Sequence, residues 1–504
     1  MTTLRKGAQT TTYARRNVPG DGAIPKRFAH LLLRNSNRGT EERPAWLFPR
    51  GVVVATVRAE MRISVCLLAA GFFACSNTKT ATKTDAPNGV PSASVATTAS
   101  ATPSDEAGVV AVVDAGPDAA LPPLAGANVL AQTLEIYRVA ACGGAASTAG
   151  VDPAPTPAPS AFDAAMVNEH CTALAQLYVD YKKNWMDVAM PFIAKLVPPN
   201  SPKAVVYPFG GGDLMGAIAT YPDANEYTTI SLEIAADVRK IDGAPKTALK
   251  SELGRYNTVL GKYFDKAHSR TDNLDIGTKS VLPGEVVFDL VALVLHGYEP
   301  LAVRYFTFDA DGLPKYVTDE QISKADQAVK DKKKRSDEVD NELFKNMEII
   351  FRKKGDLMAP IKTARHVAMN LDDTHMKADP RLAKHLEQKT QIAAMTKAGS
   401  HLLWSDDFSI IRDYMAKHTD FMISDTTGFP PAYAKKMGFV QDTYGTYTWP
   451  LPFGAVDPKI ATDVKKVFDT NPHVDISFRY GYPDKDSHGS IMVNRKPTVP
   501  APKL

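Results

Sequence analysis

The sequence predicts an α/β protein with a single Rossmann-like, methyltransferase-like domain, in which helices flank a mixed sheet. The first observation is a βαβ pattern at residues 205–233, where an apolar run, three glycines, a helical stretch and a second apolar run follow one another. The second is that segments with helical spacing alternate with β-branched and aromatic runs along the rest of the chain. Since 44% of the 504 residues are hydrophobic, the chain can bury a sizeable core.

Helical segments precede the βαβ pattern. Apolar residues recur at helical spacing in residues 127–142, and residues 161–197 predict a longer helix or helix pair that ends at two prolines. Within the βαβ pattern, residues 205–209 and 227–232 are predicted strands, and residues 213–220 form the helix between them.

The elements after the βαβ pattern continue the alternation. We expect helices at residues 245–268 and 284–298, a β-hairpin that turns at 309–312, and a charged helix or flexible insert at 319–343. The other predicted elements are strands at 347–354, 365–371 and 474–482, helices at 379–388, 406–418 and 458–469, and a helical or extended core piece at 392–404.

Residues 61–80, MRISVCLLAAGFFACSNTKT, resemble a bacterial lipoprotein signal peptide. An arginine opens the segment, residues 63–73 form an apolar core too short to span a membrane, and Ala74 is a small residue before Cys75. We expect residues 61–74 to be removed and the cysteine to carry lipid. The alternative is an internal apolar strand beside a free cysteine.

The segments on either side of this signal are not expected to fold. Residues 1–60 are rich in Arg and lack an amphipathic period, and we interpret them as a gene-model extension before a start at Met61. Residues 75–124 are dominated by Ser, Thr, Ala and Pro, which predicts a disordered tether. As a flexible coil it would span roughly 40 Å. The globular α/β domain is then expected at residues 125–496.

The charge balance argues against nucleic-acid binding. The chain has 59 Lys and Arg against 56 Asp and Glu, but twelve of the basic and only four of the acidic residues lie in residues 1–74. The rest of the chain therefore has 47 basic and 52 acidic residues, a net charge of about −5. Nucleic-acid binding needs clustered excess positive charge, so we predict no nucleic-acid partner.

Two cysteines fit an exported protein. Cys142 and Cys171 lie in neighbouring helical segments separated by a Pro-rich loop, and they could pair in an oxidising compartment. Closing this loop would stabilise the fold by roughly 3 to 4 kcal/mol in the chain-entropy model. Two unpaired buried cysteines are the alternative.

Three glycines follow the first predicted strand: Gly210, Gly211 and Gly212. In a dinucleotide-binding fold such glycines let the backbone approach a phosphate, and a carboxylate after the second strand binds the ribose. Glu233 has that spacing, but Met215 stands at the third glycine position, and Asp213 brings a negative charge that can cap the helix. The pattern is closer to the methyltransferase version of the fold, whose S-adenosylmethionine presents no phosphate to this loop. Because such cofactors are cytosolic, we predict a tight turn and no cofactor.

A second concentration of polar residues lies in the otherwise apolar stretch 395–431. A Ser–His–Asp triad of Ser400, His401 and Asp425 is disfavoured, because adjacent Ser and His side chains project differently and no G-x-S-x-G elbow is present. The aspartate with the two threonines and the glycine after it predicts a hydrogen-bonded turn. If this block converges on the glycine turn, a candidate ligand cleft is formed by Gly210, Gly211, Gly212, Asp213, Glu233, Lys397, His401 and Asp425.

The other histidines give no metal site. His296, His366 and His375 have no H-E-x-x-H or comparable ligand spacing, and the acidic residues around His375 lack the order of a calcium loop. We predict no metal.

Two blocks resemble a family of uncharacterised bacterial exported proteins: VVYPFGGGDLMGAIATYPDANEYTTISLE, and MTKAGSHLLWSDDFSIIRDYM with DTTGFPP and QDTYGTY after it. The resemblance covers most of residues 125–455 in order. In that family the second strand ends near Glu-Pro, whereas Ile234 follows the glutamate here. The resemblance implies neither an established activity nor catalytic residues.

Together these patterns predict a protein of the bacterial cell envelope, held to the outer membrane or the periplasmic face by lipid on Cys75. We expect a binding or envelope-structure protein with an unknown envelope partner or small-molecule ligand. The alternative is an exported enzyme, methyltransferase-like or a hydrolase, that uses the cleft at Gly210–Asp213 and Glu233.

Overall fold

The computed structural model describes residues 124–144, 162–266, 280–447, 457–481 and 489–504. The predicted signal peptide, the predicted lipidation site Cys75 and nearly all of the predicted tether lie outside the described residues. Among the described residues, no helix combines the length and the apolar character needed to cross a membrane.

A ten-stranded mixed sheet forms the centre of the structure, with the order β4-β3-β5-β6-β2-β1-β7-β8-β10-β9. The first five strands in the chain are β1 (Ala204–Pro208), β2 (Glu226–Ser231), β3 (Tyr298–Phe308), β4 (Pro314–Tyr316) and β5 (Asn346–Lys353). The others are β6 (Lys362–Ala368), β7 (Ala393–Thr396), β8 (Phe421–Ser424), β9 (Val440–Gly445) and β10 (Ser490–Arg495).

The strand order confirms the predicted α/β fold class. Strands β6, β2, β1, β7 and β8 are parallel, and β10 lies antiparallel between β8 and β9. In this half of the sheet, β10 is therefore the strand that runs against its neighbours. Antiparallel strands β5, β3 and β4 extend the sheet beyond β6.

Helices cover both faces of the sheet. In the first half of the chain they are α1 (Leu130–Val139), α2 (Ala164–Tyr181), α3 (Asp187–Leu196), α4 (Leu214–Thr220), α5 (Lys246–Lys266) and α6 (Gly284–Leu295). In the second half they are α7 (Asp319–Lys330), α8 (Ser336–Leu343), α9 (Asp373–Ala378), α10 (Arg381–Glu387), α11 (Ser409–His418), α12 (Pro431–Lys436) and α13 (Pro458–Thr470). A π-helical turn, Lys182–Met186, joins α2 to α3.

Alternating side chains divide the core between the two faces. In β1, Val205 and Tyr207 pack into the core beneath α1 to α6, whereas Val206 packs into the core beneath α9 to α12. This is the period of two that a strand imposes on its side chains. Because both faces are covered, the parallel strands are largely buried. Strands β1, β7 and β8 are mainly apolar, whereas β2 and β6 also carry polar residues.

Several predicted elements differ in detail. The charged segment 319–343 forms two helices, α7 and α8, and the piece at 392–404 begins as strand β7 and ends as a 3₁₀ turn. The predicted strand at 474–482 was wrong: Ile476, Phe478 and Tyr480 alternate inward, but this segment forms no strand over the residues described. The strand that pairs with β8 and β9 is β10. The segment 474–482 therefore shows the burial pattern of a strand without belonging to the sheet.

A disulfide joins Cys142, just after α1, to Cys171 in α2. The pairing predicted from the sequence is therefore formed. It closes a loop of 29 residues and ties α1 to the helices that follow. The loop length corresponds to roughly 3 to 4 kcal/mol of stabilisation in the chain-entropy model.

Candidate functional site

The glycine turn lies at the carboxyl end of β1, where the order of the parallel strands reverses between β1 and β7. In sheets of this kind ligands bind in the crevice outside this switch point. The N–H of Gly210 donates to Ile230 O at 2.9 Å, which fixes the turn against the end of β2. Asp213 Oδ1 accepts from the N–H of Gly216 at 2.9 Å, so the aspartate caps α4 as its position suggested.

Asp213 is the centre of a buried polar cluster. Its Oδ2 lies 2.7 Å from Lys397 Nζ, and each of the two side chains is 1% exposed. Tyr207 donates its hydroxyl to the same oxygen at 2.8 Å, and Tyr263 donates to Oδ1. We call Asp213, Lys397, Tyr207 and Tyr263 the switch-point cluster. With the N–H of Gly216, each carboxylate oxygen receives two hydrogen-bond donors.

Aromatic rings enclose the charges of this cluster. Burial raises the pKa of both the Tyr207 and Tyr263 hydroxyls, and the negative charge of Asp213 raises it further. Both phenols therefore stay protonated as donors. The Lys397 ammonium lies 5.1 Å from the ring centroid of Tyr480 and 5.9 Å from that of Trp185, so cation–π attraction supports the ion pair.

Asp425, just after β8, orients the loop that carries Lys397. Its Oδ2 accepts from the N–H of Ala398 at 2.8 Å, and its Oδ1 accepts from Ser400 Oγ at 2.6 Å. Thr427 Oγ1 donates to the same Oδ1 at 3.0 Å, which completes the predicted hydrogen-bonded turn. Because serine donates directly to the aspartate, no histidine stands between them as a triad requires.

The loops after β1 and β7 are packed so closely that glycines at the contact leave no room for a side chain. A Cβ added to Gly399 would lie 2.5 Å from the Cβ of Phe209, and one added to Gly216 would lie 2.5 Å from Lys397 Nζ. Phe209 and Ala398 have φ angles of 63° and 60°, a left-handed conformation that is costly for residues with a Cβ. The space at the switch point is therefore occupied by the protein's own backbone and side chains.

The predicted cleft residues divide into two groups. Lys397 and Asp425 do converge on the glycine turn, but inside the protein. His401 is partly buried at the edge, where its Nδ1 lies 3.1 Å from Ala398 O. Burial lowers the pKa of His401, and the charge of Asp425 only partly opposes this. Glu233 lies two residues beyond β2, and its Oε1 is buried without a hydrogen-bond partner among the described residues.

A second buried charge cluster lies beneath β6 and was missed from the sequence. We call Glu285 and Asp289 of α6 together with His366 of β6 the His366 cluster. His366 Nδ1 is 3.0 Å from Glu285 Oε1, and both side chains are fully buried. The other ring nitrogen, Nε2, lies 2.8 Å from the carbonyl oxygen of Glu233. Since a carbonyl only accepts, Nε2 carries a proton, and the cluster holds the loop after β2.

The ionisation of the His366 cluster follows from its contacts. Burial would lower the pKa of His366, but the charge of Glu285, supported by Asp289 and the Glu233 carbonyl, raises it to about 9. Burial and the charge of Glu285 raise the pKa of Asp289 well above its usual range. These contacts favour a charged His366 beside Glu285 and the protonated form of Asp289. In the sequence, the only sign of the His366 cluster is that Glu285 and Asp289 lie within an otherwise apolar helix.

One group of potential metal ligands occurs among the residues described, namely Cys142, His170 and Cys171. Its two sulfur atoms are joined in the disulfide, so they are not thiolate ligands. His170 Nε2 lies 2.8 Å from Ala140 O, and burial lowers the pKa of the ring. This histidine is therefore a neutral core residue that packs α2 against the end of α1.

Comparison with known proteins adds no relative. No family model and no curated protein matches the sequence, and no solved structure matches the fold. The strand order and the switch-point cluster are therefore the observations from which a function can be inferred.

Proposed function

We propose that this chain is an exported protein, anchored by lipid on Cys75, whose Rossmann-like body binds or organises an envelope component without a nucleotide cofactor. The observation that carries the proposal is the filled switch point. Where a Rossmann-like fold holds its cofactor, this chain places the ion pair of Asp213 and Lys397 and the packed loops around Phe209 and Gly399.

The chemistry of the switch-point cluster supports a structural role for these residues. A phosphate-binding turn offers free N–H groups at a helix start. Here Asp213 takes the N–H of Gly216, and its carboxylate repels an anion. A nucleophile or general base has to reach a substrate, whereas Lys397 is 1% exposed and pairs with the aspartate.

Export is supported by two independent features. The disulfide between Cys142 and Cys171 is typical of oxidising compartments. The signal-like segment before Cys75 and the polar tether after it give a lipid anchor followed by a spacer. A body held this way stays at the membrane surface while it reaches neighbouring envelope components.

Mass spectrometry of the protein purified from membranes tests both parts of the proposal. Under denaturing conditions we expect a chain that starts at an acylated Cys75, and a Cys75→Ser variant should lose membrane attachment. Under native conditions we expect the same protein mass without a retained ligand. A chain that begins at Met1 or lacks acyl groups would contradict the proposed lipid anchor. A bound nucleotide would contradict the proposal that the body holds no nucleotide cofactor.

The alternative is an exported enzyme that opens at the switch point. It is favoured by the strained backbone of Phe209 and Ala398, since such conformations cluster at functional sites. An Ala398→Gly variant would relieve the strain at that residue, whereas Phe209→Gly would also remove a ring that packs against Phe408 and is therefore not used. An enzyme that depends on the strain should lose turnover of its substrate, whereas a structural turn should gain stability with no other change.

A further inference from the structure

The turn between β5 and β6 presents a cluster of exposed apolar side chains. Leu357, Met358 and Ile361 are 52%, 60% and 40% exposed. The other large apolar side chains that are exposed in the described part of the chain are isolated in sequence: Val179, Val188, Leu232, Leu313, Val440 and Leu504. Single exposed apolar residues are ordinary, but three within five residues form a patch that calls for a partner.

Hydrogen bonds within the turn hold this patch outward. Asp356 Oδ1 accepts from the N–H of Met358 at 3.0 Å, and Asp356 O accepts from the N–H of Ala359 at 3.2 Å. The N–H of Asp356 donates to Lys353 O at 3.2 Å. The carboxylate is therefore used inside the turn, and the two residues after it project to solvent.

Two exposed lysines, Lys353 and Lys354, precede the apolar tip at the end of β5. Lys353 Nζ donates to His296 O at 2.9 Å, and Lys354 Nζ donates to Gly143 O. Lys362, the first residue of β6, donates to Pro222 O at 2.9 Å and to Ala224 O, but its side chain is buried and does not face solvent. The acceptors of Lys353 and Lys354 are neutral carbonyl oxygens, so these bonds fix two exposed ammonium groups without cancelling their charge. The exposed acidic groups nearby are Asp356, within the turn, and Asp223, beside Lys362.

We propose that this turn is a membrane contact, in which the apolar tip enters the interfacial layer of an anionic bilayer and Lys353 and Lys354 lie among the headgroups. Apolar side chains beside lysines are the pattern by which interfacial segments bind lipid surfaces. A protein partner is less well matched, because protein interfaces are enriched in aromatic residues and Arg and depleted in Lys. The turn lies at the amino ends of β1, β2 and β6, opposite the glycine turn.

This inference stands on the turn and is independent of acylation at Cys75. A lipid anchor would keep the turn near a bilayer and raise its local concentration there. Without an anchor, the turn would bind anionic membranes weakly and reversibly. Acylation of Cys75 and membrane binding by the turn can therefore be disproved independently. The first is a covalent modification, and the second is the depth to which residues 357–361 enter a bilayer.

Tryptophan fluorescence measures that depth. The full chain carrying Met358→Trp is mixed with vesicles of phosphatidylcholine, with or without phosphatidylglycerol, and its emission is compared with that of the parent chain. We expect a blue shift and quenching by brominated lipids on the anionic vesicles, both weakened by salt. A Leu232→Trp variant is the matched control, since Leu232 is 62% exposed but isolated in sequence. Emission that does not change at Met358→Trp, or changes equally in the control, overturns the proposal.

Vesicle co-sedimentation gives a second readout. A Leu357→Ser/Met358→Ser/Ile361→Ser variant should bind anionic vesicles about tenfold or more weakly than the parent, because the buried apolar area is lost. Its circular dichroism should match the parent, since the three side chains are exposed. If the folded triple variant sediments like the parent, or if the turn is captured by a protein while vesicles leave it unquenched, the membrane assignment is wrong.

Discussion

The switch-point cluster and the His366 cluster are both buried, but they balance their charges differently. Asp213 receives two donors on each carboxylate oxygen, so its negative charge is satisfied by fixed groups. In the His366 cluster two carboxyl groups face one imidazole, and Asp289 Oδ1 is buried without a hydrogen-bond partner among the described residues. The charge balance of the His366 cluster therefore depends on the protonation of His366 and Asp289.

This difference teaches how one fold can use buried charge in two ways. At the switch point, fixed donors make a carboxylate part of the scaffold. Beneath β6, the shortage of donors makes the packing of α6 against the sheet sensitive to pH. A buried ion pair is weak evidence for net stability, but breaking one leaves an uncompensated charge at high cost.

The largest expected effect comes from removing the cation of the switch-point cluster. Lys397→Met should lower the free energy of unfolding by about 3 to 5 kcal/mol, because Asp213 would be left buried without its counter-charge. Urea denaturation followed by circular dichroism measures this loss. The Asp213→Asn/Lys397→Met double variant should lose less than the single one, since no unpaired charge remains.

A surface pair provides the matched control for that substitution. Lys417, whose side chain is 63% exposed, lies 3.1 Å from Glu387. Lys417→Met should change the free energy of unfolding by less than about 1 kcal/mol, as exposed ion pairs contribute little. Equal losses for Lys397→Met and Lys417→Met would remove the distinction between buried and exposed pairs on which the comparison depends.

The next effect is a fall in stability with rising pH. Because the pKa of His366 is raised to about 9 in the folded state, its contribution is fully present below the unfolded value of about 6.5 and is lost as pH rises towards 9. The loss over this window should be roughly 3 kcal/mol. The raised pKa of Asp289 acts in the same direction, since the folded state keeps a proton that the unfolded state releases.

Urea denaturation at several pH values between 6 and 9 measures this slope. A Glu285→Gln variant should be less stable at pH 6 and should flatten the slope, because His366 loses the carboxylate that keeps it charged. A wild-type stability that rises across the window would show that His366 is neutral in the folded protein.

The smallest loss is expected at Asp289. If this side chain is protonated in the folded state, Asp289→Asn replaces it by a neutral group of similar shape. The free energy of unfolding at pH 6 should then stay equal or rise, because asparagine removes the cost of keeping a proton that the unfolded state releases. A loss as large as that of Lys397→Met would indicate an ionised Asp289 and would make the two clusters alike.

Much of the fold was predictable because burial leaves a pattern in the sequence. The βαβ unit, the hairpin turning at 309–312 and the helix from Pro458 follow from apolar spacing and turn residues. The segment 474–482 was wrongly predicted as a strand because every second side chain is buried, although its backbone does not pair with a strand of the sheet. Side-chain alternation reports which face is buried, whereas ladder pairing depends on a strand, β10, that comes later in the chain.

The candidate site was predictable only in part. The glycine turn, Asp213 and Lys397 lie in motifs that stand out, so their place at the switch point could be proposed. Tyr263 comes from α5, fifty residues from Asp213, and its hydrogen bond to the aspartate has no local signal. The sequence also could not tell an open cleft from a filled one, because burial of Lys397 depends on rings from distant segments.

The most direct test of the filled switch point is titration calorimetry of the purified chain with S-adenosylmethionine and, separately, with NAD. We predict no binding heat for either, because Asp213, Lys397 and the packed loops occupy the place of the cofactor. Saturable binding of either compound with one-to-one stoichiometry, weakened by a substitution at Gly211 or Glu233, would contradict the account and make the enzyme alternative the better one.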